Sequence, residues 1–228
     1  MLNYTNDGEN DELPCNDPPT LTEIAEIIHN KKNGKASTDI KNEMLKKPGE
    51  TMVGYVYTLM RTIWKEENIP DQWKKGLITS IWKGKGDRES LSNHRGITVS
   101  SSIGNIMEEL IDNRILKTVK YTQAQGGGLK GSSTYDHVFL IHSIISISLK
   151  QKRKTFLTFY DVKKAFDNVD NNDMLAVMWE KGLKGKTWRI LKNLSNNLST
   201  AVKTKYGTTR DINIEIGGKQ GSKLTENV

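Results

Sequence analysis

The stretch from Thr155 to Asp167, Thr-Phe-Leu-Thr-Phe-Tyr-Asp-Val-Lys-Lys-Ala-Phe-Asp, constrains this chain more than any other. Phe156 to Tyr160 is a short apolar and aromatic run, the pattern of a buried strand. It delivers Asp161 at its C-terminal end. The chain then turns through Lys163 and Lys164 into Ala165-Phe166-Asp167. A carboxylate so placed can hold a hard cation such as Mg²⁺, which takes oxygen ligands and works alongside phosphates. The same position also suits an Asp that caps a following helix. These residues alone leave both readings open.

The 228 residues are enough for one large domain or two small subdomains with a real core. No apolar run reaches the roughly 18 residues needed to span a bilayer, and the N-terminus lacks the pattern of a signal peptide. Cys15 is the only cysteine, so neither an internal disulfide framework nor a thiolate zinc site is available. This suits an intracellular protein, in nucleus or cytoplasm. The net charge of +7 is unevenly spread. Residues 1–20 carry Asp7, Glu9, Asp11, Glu12 and Asp17 and no Lys or Arg. All 34 basic side chains and 22 of the 27 acidic ones therefore lie beyond residue 20, a net +12. Such a body suits a polyanionic partner, though a merely soluble basic surface has the same charge.

In chain order, residues 1–20 read as a mobile acidic leader ending in Pro18-Pro19. Thr20 or Thr22 caps a helix over 21–31, with Ile24, Ile27 and Ile28 on one face. Helices are expected near 39–47 and 50–67, the second burying Val53, Val56, Tyr57, Met60, Ile63 and Trp64. Leu77 to Trp82 reads as a strand. It runs into Lys83-Gly84-Lys85-Gly86-Asp87, a cationic loop whose glycines permit close approach to phosphates. Ile103, Ile106, Met107, Leu110 and Ile111 mark an amphipathic helix starting near Ser101 or Ser102. A long helix follows from about Thr134 to Lys150. His137 and His142 are too isolated for a metal site. Asn171-Asn172-Asp173 caps another helix that ends at Gly182, and a further helix spans about 185–198. Ala201 to Tyr206 and Ile212 to Ile216 alternate as two strands joined across Gly207.

Asp-Val-Lys-Lys-Ala-Phe-Asp resembles the first catalytic motif of reverse transcriptases from LINE-type (non-LTR) retrotransposons, where the pattern is Asp-Leu-Ser-Lys-Ala-Phe-Asp. The resemblance makes Asp161 a ligand of the catalytic metals and Phe166 the steric gate against ribonucleotides. Asp167 matches the second Asp, with the role of orienting the turn. Lys31-Lys32-Asn33-Gly34-Lys35-Ala36-Ser37-Thr38-Asp39-Ile40 is similar to the signature preceding the fingers. Lys83 to Asp87 and Asn93-His94-Arg95-Gly96-Ile97 resemble the fingers motifs Lys-Lys-Gly-Asp and Asn-Tyr-Arg-Pro-Ile. By that resemblance Lys83, Lys85 and Arg95 contact the incoming triphosphate or the template. Arg95 leads, because a guanidinium grips phosphate oxygens in a bidentate way. Gln125 to His137 is like the family segment supporting the template groove, which makes Lys130 a candidate contact. Gly128 stands there for the usual Phe, and Ser132 for the usual Arg. Gly217 to Thr225 resembles Gly-Val-x-Gln-Gly-x-Pro-Leu-Ser-Pro. It assigns Gln220 to the nascent base pair and Gly221 to the template side.

Five motifs in the family's order cover most of residues 21–225. They imply an α+β chain: an incomplete right-hand polymerase, helix-rich with a small antiparallel sheet. Fingers are expected at about 21–150 and partial palm at about 151–228. Two-metal nucleotidyl transfer needs ligands for both ions. The family supplies the remainder from an Ala-Asp-Asp hairpin, yet this chain contains no adjacent pair of aspartates. The implied cofactor is Mg²⁺, and the implied partners are an RNA template, a DNA primer and a deoxynucleoside triphosphate. The isolated chain is expected to have little or no polymerase activity. The alternatives are a non-catalytic nucleic-acid-binding relic and an unrelated basic α/β domain.

Overall fold

A computed structural model describes residues 11–33, 40–122, 124–127, 131–162 and 165–217, with the side chains of Phe166 and Asp167 set aside. Helices α1 (Leu21–Asn30), α2 (Asn42–Lys46), α3 (Glu50–Glu66) and α4 (Asp71–Lys74) come first. Strands β1 (Lys75–Trp82) and β2 (His94–Val99) follow, then α5 (Gly104–Thr118), α6 (Thr134–Lys150), α7 (Asn171–Glu180) and α8 (Lys186–Ser195). Strands β3 (Ser199–Thr204), β4 (Gly207–Thr208) and β5 (Ile212–Asn213) close the order. The described residues thus form a helix-rich α+β structure with one small sheet. No described helix is long and apolar enough to cross a membrane.

Local chemistry sets the helix ends. The Thr20 hydroxyl accepts from the Glu23 amide at 3.2 Å, and the Glu23 carboxylate accepts from the Thr20 amide at 2.9 Å. This reciprocal box satisfies two donors that a helix start leaves orphaned. At α7 the cap is Asp170, whose Oδ1 accepts from the Asn172 and Asp173 amides, one residue earlier than the Asn-Asn-Asp run suggests. The helix closes as expected at Gly182, where the Leu183 amide donates to the Met178 carbonyl at 2.9 Å.

The core is one cluster centred on α5. Ile106, Met107, Ile111 and Ile115 are wholly buried against Ile24 and Ile28 of α1, and Met60 and Trp64 of α3. Leu175 and Met178 of α7 and Trp188 and Leu191 of α8 belong to the same cluster. Residues on both sides of position 150 therefore share one core.

Three expectations are corrected. The sheet is mixed, not antiparallel: its order is β2-β1-β3-β4, with β5 also on β3. β1 pairs antiparallel with β2 and parallel with β3. A long helical crossover separates β1 from β3, which is what a parallel neighbour requires. Second, Phe156 to Tyr160 forms neither strand nor helix, and Phe156 is 88% and Tyr160 93% exposed. Both sides of β1 and both sides of β3 are already paired, so the interior of the sheet has no place for another strand. Helix α6 beside this run buries none of its residues.

Third, the leader is a clasp from residue 11 onward; residues 1–10 lie outside the described ones. Cys15 and Asn16 are buried. Asn16 accepts from the Thr187 amide at 2.7 Å and donates to the Lys184 carbonyl at 3.0 Å. The Trp64 indole donates to the Asn16 carbonyl, and Arg114 donates to the carbonyls of Cys15 and Asp17. Arg189 binds Glu67 through two nitrogens, at 2.6 and 2.7 Å, and Asp11 at 3.0 Å. The two carboxylates hold the Arg189 guanidinium above its ordinary pKa, the bond to Glu67 being the larger cause.

Candidate nucleic-acid interface

Three of the cations singled out by sequence, Lys83, Lys85 and Arg95, lie on the β1–β2 hairpin. In its register Ile81 faces Arg95, and Trp82 faces His94. The segment His94–Val99 is thus a strand, which the motif comparison did not reveal. The connecting loop is organised by its own polar groups. The Lys83 amide donates to the Asn93 carbonyl at 2.8 Å, and the Asn93 side chain donates to the Asp87 carbonyl at 2.8 Å. Gly84 and Gly86 take the left-handed conformations, φ 79° and 76°, that these turns require.

The three cations differ in what they do. The Lys83 ammonium donates to the Ser92 carbonyl at 2.7 Å, so it staples the loop from within. Lys85 and Arg95 are exposed and make no ion pair with any described residue. Beside them Arg88 lies 5.8 Å from the centroid of the half-exposed Trp82 ring. Sequence reading missed this pair, although an aromatic residue directly before a Lys-Gly-Lys-Gly run is a readable signal. The hairpin offers a guanidinium, an ammonium and an aromatic face, a set suited to the phosphates and bases of a nucleic acid.

Asp161 is exposed, on a run without helix or strand after Tyr160. Among the described residues no group of three or more His, Cys, Asp or Glu side chains is placed to hold a metal ion. One exposed carboxylate does not make a Mg²⁺ site, so no step through a metal is derived from these residues. Phe166 lies in a 3-10 turn, Ala165–Asn168, its side chain outside the described set. Lys130, Gln220 and Gly221 also lie outside the described residues. The backbone does bring two motifs together, since the Gly217 amide donates to the Val169 carbonyl at 2.8 Å. The segment leading toward Gln220 is thereby fastened just after the turn that carries Phe166.

The Gln125–His137 segment has a structural explanation for two of its residues. Ser133 caps α6, accepting from the Tyr135 amide at 3.2 Å, while Asp136 accepts from the Ser133 amide at 2.9 Å. A Cβ on Gly126 would fall 1.7 Å from Nε2 of His137, so that ring lies against glycine backbone.

No family model matches the chain. Pairwise comparison does find relatives. It is 29% identical over 237 residues to the probable RNA-directed DNA polymerase from transposon X-element of Drosophila melanogaster. That match covers 98% of this chain and 26% of the relative. It is also 29% identical over 160 residues to the retrovirus-related Pol polyprotein from type-1 retrotransposable element R2 of Popillia japonica, covering 69% of this chain and 22% of that one. Against the RNA-directed DNA polymerase from mobile element jockey of Drosophila funebris it is 26% identical, covering 93% and 24%. These matches make the chain similar to polymerase proteins of mobile elements. More narrowly, it is a relative of the RNA-directed DNA polymerases, or reverse transcriptases, of non-LTR retrotransposons. It spans about a quarter of the length of these relatives.

Proposed function

We propose that this chain forms the fingers and part of the palm of a right-hand RNA-directed DNA polymerase. Its task is to hold template, primer and incoming nucleotide for transfer to a primer 3′-OH. The observation that carries this reading is the β1–β2 hairpin, on which Lys85 and the exposed Arg95 stand in motifs shared in order with reverse transcriptases. Fingers would span about 21–150 and partial palm about 151–228, in an intracellular setting.

In this reading Arg95 and Lys85 grip the phosphates of the deoxynucleoside triphosphate, and Lys83 keeps the loop in shape. Phe166 excludes the ribose 2′-hydroxyl, Gln220 meets the nascent base pair, and Lys130 and Gly221 follow the RNA template. A divalent metal cofactor, Mg²⁺, belongs to such chemistry in general. Asp161 would supply one of its ligands, the others coming from groups outside the described residues. The chain alone is therefore expected to bind nucleic acid without extending a primer. RNA-templated primer extension by the isolated chain that disappears in Asp161→Ala would overturn that expectation. A non-catalytic binder shares the same surface, and a longer polypeptide carrying an Asp-Asp hairpin separates the two readings. Extension by that polypeptide, lost in Asp161→Ala and weakened in Arg95→Ala, is the result expected of the polymerase.

A further inference from the structure

The β3–β4 hairpin lies outside the motifs shared with reverse transcriptases. From Val202 to Arg210 it reads Val-Lys-Thr-Lys-Tyr-Gly-Thr-Thr-Arg, with three cations, an aromatic residue and no acid. Asp211, the next residue, is already engaged by Lys75 at 2.7 Å. The hairpin is held in one shape by its threonines. Thr204 accepts from the Tyr206 amide at 3.1 Å and donates to the Gly207 carbonyl at 2.8 Å. Thr209 accepts from the Val202 amide at 2.9 Å.

Register puts Lys203 on the same face of the sheet as Arg95. Lys203 pairs with Thr79 and Arg95 with Ile81, two residues apart on β1 and so on one side of it. Two strand spacings and a two-residue offset separate the pair by roughly 12 Å, about three to four base rises along a nucleic-acid strand. At the turn, Tyr206 is 88% exposed, and its ring meets the Lys205 ammonium 5.0 Å from its centroid. A tyrosine at a rigid tip, flanked by cations with no acidic partner among the described residues, offers a π-face to whatever arrives with negative charge. A nucleobase followed by its phosphate fits both features; an acidic peptide would use only the cations.

We infer that the β3–β4 hairpin is a second contact for single-stranded nucleic acid, with Tyr206 stacking on a base and Lys203 and Lys205 on the adjoining phosphates. The strand would cross the sheet from Arg95 toward Tyr206. This inference rests on the nucleic-acid-binding part of the proposed function. Its test is fluorescence-anisotropy titration of the full chain with a labelled single-stranded RNA of mixed sequence at 50 and 200 mM salt. Tyr206→Ala is expected to weaken binding roughly five- to 150-fold, the range carried by base–aromatic stacking, and Tyr206→Phe to restore it. Lys203→Ala is expected to lower the slope of log affinity against log salt by about 0.7. Over that fourfold salt change the variant would lose about 2.6-fold less affinity than the parent. Tyr55→Ala, at another exposed tyrosine on α3, should bind as the parent does. Binding by the parent that is unchanged in Tyr206→Ala and Lys203→Ala overturns this inference and leaves the proposed function standing. A parent that binds no RNA at 50 mM salt overturns both.

Discussion

Replacing Arg114 by methionine keeps a long apolar stem but removes a guanidinium that is only 5% exposed. In the native chain that group donates to the carbonyls of Cys15, at 2.9 Å, and Asp17. It also pairs with Glu23 at 3.3 Å and lies 4.4 Å from the centroid of the Trp64 ring. The Asp17 carbonyl left without this donor costs about 1–3 kcal/mol, whereas the Cys15 carbonyl keeps the Thr187 hydroxyl and loses only one of two bonds, about 1 kcal/mol. The ring contact contributes up to about 2 kcal/mol where it is desolvated. The pair to Glu23 adds at most about 1 kcal/mol, because that carboxylate reaches water. These losses share one side chain and do not simply add, so a destabilisation of about 3–5 kcal/mol is expected. Against a total of about 5–15 kcal/mol for a domain, that is a large fraction. Urea unfolding followed by tryptophan fluorescence reads it as a drop in midpoint of about 1–2.5 M, for a slope near 2–3 kcal/mol/M. Residues 11–17 should also become cleavable by protease before global unfolding. A loss below about 1 kcal/mol would refute the reasoning, because the clasp would then contribute nothing to the fold.

Three further outcomes follow from particular contacts. A Cβ on Gly76 would fall 2.5 Å from Cγ2 of Thr98 across the hairpin, so Gly76→Ala should lose about 1–3 kcal/mol. Adding Thr98→Ser, which deletes that methyl, should recover part of the loss in urea unfolding. Burial, the leading cause, pushes the Cys15 thiol above its ordinary 9.0. The thiolate is thus disfavoured in the folded chain, and this contribution to stability is complete below pH 9 and declines as pH rises through the raised folded value. The stability difference between the parent and Cys15→Ala should accordingly shift against the parent between pH 8 and pH 10. Finally, Phe139 of α6 is exposed while Ile111 of α5 is wholly buried. Phe139→Ser should change the unfolding free energy by less than about 1 kcal/mol, and Ile111→Ala should cost about 2–5 kcal/mol.

Helical periodicity was legible wherever one face meets the core. Ile24, Ile27, Ile28, Val53, Val56, Met60, Ile63, Trp64, Trp188, Ile190, Leu191 and Leu194 are buried as their spacing indicates, while Tyr57 of the same series is only half-buried. Thr20 and Gly182 punctuate helices for reasons contained in the residues themselves. The motif order also carried the relationship to non-LTR reverse transcriptases, since a linear order of short patterns needs no fold to be read. What required the tertiary structure was every choice among competing partners. Phe156 to Tyr160 has the composition of a buried strand, yet strand formation depends on a free neighbour. The neighbours of β1 and β3 are taken by segments distant in sequence. Arg114 reaches backbone carbonyls about a hundred positions away, and a carbonyl leaves no mark in composition. Lys83 and Arg95 look alike as cations, and only geometry turned one inward to Ser92 and left the other open. Lys203 likewise shares a face with Arg95 solely through the parallel register of β3 on β1. Patterns fixed by a residue and its near neighbours are written in the sequence, whereas pairing between distant segments is decided by which contacts the whole chain can satisfy at once.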